Sequence, residues 1–128
     1  MKKQVEKRED LEQLLVIFYQ KVLKDILIGR FFTEVIKLDL EKHIPVIADF
    51  WEGVVFNKLT YNKNVMLIHQ QISFLSPIKK EHLDRWLEIF SGTVDEYFIG
   101  DKAELMKQRA RSVAVLMDIK FNHSKLPK

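Results

Sequence analysis

Apolar residues recur at steps of three and four along most of this 128-residue chain, and this spacing constrains its fold more than any other feature. The period matches one face of an α-helix, whereas a half-buried strand would alternate at every second residue. Four glycines and three prolines leave little material for turns, which favours a few long elements over many short ones. We therefore expect one all-α domain, residues 1–128, with flexible ends at 1–9 and 123–128.

Two helices are predicted in the first half of the chain. The first runs from about residue 9 to 27, and its apolar stripe ends with Ile26 just before Gly29 breaks the pattern. The second opens with Asp39 as its N-cap and is bent or irregular near Pro45, which removes a backbone donor. We expect its buried face to comprise Leu40, His43, Val46, Ile47, Phe50, Trp51 and Val54.

Two further helices are predicted in the second half. The third begins between residues 77 and 81 and ends before Gly100, and the fourth begins with Asp101, which would form a capping box with Glu104. So short a connection makes these helices antiparallel, and the first two can form the other pair. The result would be two stacked helix pairs.

The helical period fails between about residues 57 and 79, although this segment is rich in apolar side chains. Long irregular loops are uncommon in compact domains unless they are functional or anchored. His69 is the one ligand-type side chain among the apolar residues of the loop. Tyr19, His43 and Trp86 place polar tips on otherwise apolar helix faces, and together these residues suggest a metal or cofactor site.

Composition excludes several other classes of site. The chain has no cysteine, which rules out disulfides and thiolate metal centres. Its net charge of +3 comes from lysines and arginines that alternate with acidic residues, so we expect no nucleic-acid role. There is no signal peptide and no uncharged apolar run of about 18 residues, so we expect no membrane association and a cytoplasmic location.

In its ordered set of residues the sequence resembles the truncated haemoglobin family and is most similar to group III. The resemblance covers about residues 10 to 122. It rests on Phe18-Tyr19, Gly29 to Phe32, His43, Phe50-Trp51, Tyr61, Met66, His69, Trp86 to Phe90 and Arg109-Ala110. It implies a truncated globin fold, a two-over-two antiparallel helix sandwich around haem b.

The resemblance also implies a role for individual residues. His69 would be the iron ligand, and the other haem contacts would be Phe32, Ile47, Tyr61 and Met66. The hydrogen-bond donors that face a bound diatomic ligand would be those of Tyr19, His43 and Trp86. Arg30 and Lys63 are candidate propionate partners by location, whereas His82 and His123, which we expect to be solvent-facing or terminal, receive no role.

The implied function is reversible binding of dioxygen and other diatomic ligands, such as nitric oxide and carbon monoxide, by a monomer. Nitric oxide dioxygenase or peroxidase-like turnover would need an external reductase, because the 128 residues contain no reductase domain. Enzyme status is therefore open. The alternative is a non-haem helical interaction module, in which Trp86 is a core aromatic, Tyr19 an interfacial tyrosine and His43 a satisfied helix histidine.

Overall fold

The computed structural model describes residues 2–35, 39–57, 78–119 and 122, and every long element in them is a helix. The helices are α1 (Arg8–Lys24), α2 (Leu40–Phe56), α3 (Lys80–Tyr97) and α4 (Asp101–Asp118), and a single π-helical turn spans Phe31–Val35. The all-α class predicted from the apolar period is confirmed.

The four helices form two stacked pairs. Helix α3 pairs with α4, α1 packs against both α2 and α3, and α2 also touches α4. The core lies between the layers and is built from aliphatic and aromatic side chains. Its largest fully buried members are Phe18, Phe90, Leu11, Leu14, Leu15, Met106, Val22 and Val94.

Helix α1 ends three residues earlier than the apolar stripe predicts. Lys24 is its last residue, and Ile26, expected on the buried face, is fully exposed. The cause is Asp25, whose carboxylate accepts hydrogen bonds from the backbone amides of Leu27 and Ile28 at 3.0 and 3.1 Å. This local bonding replaces the next helical turn.

Helix α2 begins as predicted, but its fully buried stripe lies elsewhere on the helix. The Asp39 carboxylate accepts from the backbone amide of Glu41 at 3.1 Å, which confirms it as the N-cap. The helix continues through Pro45. Of the predicted buried face, only Trp51 is fully buried, and the other residues are half-buried. The remaining buried residues of α2, which the prediction did not include, are Ala48, Glu52 and Val55.

The guanidinium group of Arg8 links helix α1 to helix α2. It donates to the carboxylates of Glu12, Asp49 and Glu52 at 2.6 to 2.9 Å. It also donates to the carbonyl of Pro45 at 3.1 Å. These bonds fix the middle of α2 against the start of α1. They also raise the pKa of Arg8, mainly through its hydrogen bond to Asp49.

The connection between α3 and α4 differs from the prediction in its cap. Gly100, with a φ of 107°, is the N-cap, and its carbonyl accepts from the amide of Glu104 at 3.0 Å. Asp101 is already the first helical residue, so the capping box predicted between Asp101 and Glu104 is wrong. A positive φ is accessible to glycine at little cost.

The segment before α1 packs onto this connection. Lys3 pairs with the chain around Phe98, donating to the carbonyl of Tyr97 and accepting from the amide of Ile99. Val5 is buried, and the Lys3 ammonium group lies 2.8 Å from the buried carboxylate of Asp10. In the part of the chain described here, no helix is long and apolar enough to cross a membrane.

Candidate functional site

A buried tyrosine and a half-buried histidine meet where α1 crosses α2. The hydroxyl oxygen of Tyr19 lies 2.7 Å from Nε2 of His43, and the two rings are 5.1 Å apart at 80°. Tyr19 is 5% exposed. Sequence reasoning singled out both residues separately, and the structure brings them together as a hydrogen-bonded pair.

Burial determines the chemical state of this tyrosine. It raises the pKa of Tyr19 well above the ordinary value, because the charged phenolate would lose its hydration. The phenol therefore stays neutral and has one O–H to donate. If Nε2–H of His43 donates to the phenolic oxygen, the Tyr19 hydroxyl can donate to a third group. The pair can then present a hydrogen-bond donor to a small ligand.

An aromatic cluster holds this pair close to Trp86 of α3. Phe18 contacts the rings of Tyr19 and Trp86 edge to face, at centroid distances of 5.0 and 6.2 Å. Trp86 stacks on Phe90 at 5.9 Å, and Tyr19 meets Phe32 edge to face at 6.0 Å. Each contact fixes ring orientation through ordinary aromatic geometry. Four predicted site residues, Tyr19, His43, Phe32 and Trp86, thus lie in one connected group.

A small cavity with a volume of about 40 Å³ adjoins this cluster. Its walls are mainly aliphatic and aromatic and come from α3, α4 and the corner after α1. The lining residues are Ile28, Phe31, Phe32, Ile78, His82, Leu83, Trp86 and Met117.

His82 lines this cavity, which sequence reasoning did not anticipate. It is half-buried in the first turn of α3, and burial lowers its pKa. Our expectation that His82 faces solvent is therefore wrong. The signal was present in the sequence, because His82 precedes Trp86 by four residues and so shares its helix face.

The corner after α1 positions the phenylalanine side of the cavity. Asp25 accepts from Nε of Arg85 on α3 at 2.7 Å, in addition to its two backbone bonds. Gly29 lies so close to α1 that a Cβ there would come within 2.9 Å of the carbonyl oxygen of Leu23. The corner therefore packs tightly between α1 and α3, and Phe31 and Phe32 follow it directly.

The other predicted site residues are placed as follows. Ile47 lies one turn after His43 on α2 and packs, half-buried, against the core. It does not line the cavity described above. His69, Tyr61 and Met66 lie outside the described residues, so their roles stay predictions. Within residues 2–35, 39–57 and 78–119, no three histidine or carboxylate side chains form a metal cluster.

Comparison with known proteins agrees with this architecture. The chain is 28% identical over 117 residues to the group 3 truncated haemoglobin Ctb of Campylobacter jejuni, an alignment that covers 89% of this chain and 90% of the relative. It also matches the crystal structure of the group III truncated haemoglobin from Campylobacter jejuni with a TM-score of 0.84 and 25% identity, covering 99% of this chain and all of the other. No protein-family model matches the sequence.

The helix arrangement and the structural match show a truncated globin fold, with two helices stacked on two. Within that class the chain is similar to group III truncated haemoglobins over almost its whole length. The fold and the family resemblance predicted from the sequence are both confirmed.

Proposed function

We propose that this protein binds haem b, with His69 as the iron ligand, and that it reversibly binds dioxygen beside Tyr19, His43 and Trp86. The observation that carries the proposal is the hydrogen bond between buried Tyr19 and half-buried His43, in an aromatic cluster that adjoins an apolar cavity. An apolar side chain would pack in the core as well as Tyr19 does, whereas a buried hydroxyl bonded to His43 can also offer a donor.

The side chains around the site are chemically suited to contact a mainly apolar group. Phe32 and Trp86 supply aromatic walls, and Leu83 and Met117 supply flexible or branched apolar contacts. On α2 a second apolar surface, formed by Ile47, Phe50 and Val54, continues from His43 along one side of the helix and is only half-buried. Such surfaces suit a porphyrin, and haem iron held by a histidine supplies a site for diatomic ligands.

The residues around the pocket would set the strength of ligand binding. A diatomic ligand that takes on negative charge is stabilised by N–H and O–H donors that are already oriented. Tyr19 can donate if His43 donates to it, and Trp86 has a single indole N–H. Because each such bond to a charged group contributes about 1.5–3 kcal/mol, we expect slow release of dioxygen. Slow release favours ligand sensing, nitric oxide chemistry or peroxide chemistry over bulk oxygen transport.

The test of haem binding is an absorption spectrum of the purified apoprotein after addition of hemin. The wild-type protein and His123→Ala should each develop a Soret band at one equivalent, and His69→Ala should lose the intensity and position typical of histidine ligation. If the wild-type protein takes up no haem, the non-haem interaction module becomes the better explanation. If His69→Ala had the same Soret band as the wild-type protein, haem binding would stand and only the assignment of His69 as the iron ligand would be disproved.

Several finer aspects of the proposal depend on further measurements. Binding of nitric oxide and carbon monoxide would be seen in the same spectra. Turnover as a nitric oxide dioxygenase or peroxidase requires a reductant, and steady-state nitric oxide consumption with a supplied reductase would measure it. The cytoplasmic location and the monomeric state are predictions from the sequence.

A further inference from the structure

The outer face of α4 exposes an apolar patch at the C-terminal end of the helix. Its members are Val115, Leu116 and Ile119, which are 56%, 46% and 47% exposed. Together with Arg111 and Ser112 they line a shallow depression in the surface. A single exposed aliphatic side chain needs no explanation, whereas adjoining ones rimmed by polar residues mark a surface that contacts another molecule.

Two arginines beside this apolar patch have no anionic partner. Arg109 and Arg111 are both exposed, and Arg111 lies one helical turn before Val115. Within the described residues no carboxylate forms an ion pair with either arginine, whereas Arg8 and Arg85 each bind at least two carboxylates. The guanidinium groups of Arg109 and Arg111 can therefore bind an external anion, and their planar set of donors matches phosphate.

The positive charge of the sequence is concentrated in this part of the chain. Residues 105–128 contain six lysines and arginines and a single acidic residue, Asp118, although the whole chain has 21 basic and 18 acidic residues. The residues before 105 are therefore acidic overall, and the net charge of +3 originates at the α4 end. Basic residues beside an exposed apolar helix face are typical of helices that lie on an anionic membrane surface.

We propose that the outer face of α4 docks on a membrane surface that contains anionic phospholipids. The apolar patch would enter the boundary between headgroups and acyl chains, and Arg109 and Arg111 would bind lipid phosphates. Such a contact uses one helix face and no spanning segment, so it replaces our expectation of no membrane association, which rested on the lack of a long apolar run. A second copy of the chain fits this face less well, because a symmetric interface presents the same arginines from both copies.

Two double variants separate the charged part of the contact from the apolar part. Arg109→Gln with Arg111→Gln removes two positive charges, and Leu116→Gln with Ile119→Gln removes apolar surface. All four side chains are exposed, and glutamine is a good helix former. We therefore expect both variants to fold, and thermal unfolding followed by circular dichroism would verify this.

Two further double variants are the matched controls. Lys24→Gln with Lys42→Gln removes two exposed positive charges from α1 and α2. Val16→Gln with Ile26→Gln removes two apolar side chains, 41% and 100% exposed, from α1 and the residues just after it. The controls thus make the same chemical changes outside α4.

The measurement is cosedimentation of each 128-residue protein with lipid vesicles. One set of vesicles is phosphatidylcholine alone, and the other is an equimolar mixture of phosphatidylcholine and phosphatidylglycerol. We expect the wild-type protein to bind the mixed vesicles only, and more weakly at high salt. The arginine variant should bind at least about tenfold more weakly, because each basic residue at an anionic surface contributes about fivefold. The apolar variant should lose about tenfold or more, and both controls should bind like the wild-type protein.

Three results would overturn membrane docking by α4. The first is a wild-type protein that does not bind the mixed vesicles. The second is an equal loss of binding in either α4 variant and its control, since net charge or general surface polarity would then explain the binding. The third is a dimer in sedimentation velocity that Leu116→Gln with Ile119→Gln dissociates, which would assign the face to a contact between two copies. None of these measurements uses haem, so the proposed function is tested separately.

Discussion

In the proposed function, the hydroxyl of Tyr19 is the group that would contact a bound ligand most directly. Tyr19→Phe removes the donor and leaves the ring contacts with Phe18 and Phe32 in place. We predict that the dioxygen dissociation rate rises about tenfold or more, since a hydrogen bond to a charged acceptor contributes about 1.5–3 kcal/mol. Stopped-flow displacement of dioxygen from the ferrous protein would measure the change.

Trp86→Phe is the companion variant for that experiment, because it removes an N–H from the same cluster and keeps an aromatic ring that can stack on Phe90. Comparing the two rates ranks the donors. If both variants released dioxygen at the wild-type rate, neither side chain would bind the ligand, and the polar pocket would have to be assigned to other residues.

Two glycines with opposite surroundings give a second prediction. A Cβ at Gly29 would lie 2.9 Å from the Leu23 carbonyl oxygen and 3.0 Å from that of Val22, so Gly29→Ala should lower the free energy of unfolding by about 1–3 kcal/mol. A Cβ at Gly92 meets nothing within 4 Å. Because Gly92 lies inside α3, Gly92→Ala should raise the free energy of unfolding by about 0.5–1 kcal/mol. Urea titration of both variants measures whether the free energy of unfolding falls in Gly29→Ala and rises in Gly92→Ala. If Gly29→Ala were more stable than the wild-type protein, the backbone near Gly29 could move to admit a Cβ, and the prediction would be wrong.

Sequence reasoning at the level of single residues identified Tyr19, His43 and Trp86, because a polar tip on an apolar helix face is visible in the residue order. It could not show that Tyr19 and His43 bond to each other, since that contact depends on how α1 crosses α2. The expectation for His82 was wrong for a related reason. Its exposure is decided by Phe31, from a distant part of the chain.

At the level of elements, the corner between α1 and the π-helical turn depends on the Asp25 carboxylate. Burial acts to raise the pKa of Asp25, but the hydrogen bonds from Arg85, Ile28 and Leu27 outweigh it and leave the pKa below the ordinary value. A carboxyl group with a lowered pKa stabilises the fold above its unfolded pKa of about 3.9, and this contribution is lost as the pH falls through the folded value.

We therefore predict that Asp25→Asn lowers the free energy of unfolding at pH 7 and that its difference from the wild-type protein narrows below about pH 4. Chemical unfolding at a series of pH values would follow this difference. Asp84→Asn is the matched control, because Asp84 lies on the surface of α3, pairs with an exposed lysine and should change stability little at any pH. A deficit for Asp25→Asn that did not depend on pH would contradict the electrostatic explanation.

The apolar period predicted the helices well where the signal is local. The start of α2 at Leu40 follows from the Asp39 cap, and the end of α3 follows from Gly100, the glycine that stops the helix. The end of α1 was missed because the Asp25 carboxylate that bonds to the amides of Leu27 and Ile28 is also held by Arg85, which lies 60 residues away in sequence. Tertiary partners of this kind leave no periodic signal.

For the whole molecule, the cofactor and the fold should be thermodynamically linked. A ligand that binds only the folded state at a free concentration 100 times its dissociation constant adds about 2.7 kcal/mol to the free energy of unfolding. We predict that the melting temperature rises with hemin concentration in the wild-type protein and rises less in His69→Ala. Thermal unfolding followed by circular dichroism at several hemin concentrations would measure this. A melting temperature that did not change with hemin would show that hemin does not bind the folded protein in preference to the unfolded chain.

The contact of Lys3 with the turn between α3 and α4 bears on the order in which the protein folds. It joins the first residues to a turn about 95 residues later in the sequence. Closing so long a loop costs entropy, so we expect this contact to form late in folding. Contacts made after the rate-limiting step slow unfolding without speeding folding. The N-terminal segment would then slow unfolding and lengthen the lifetime of the folded protein.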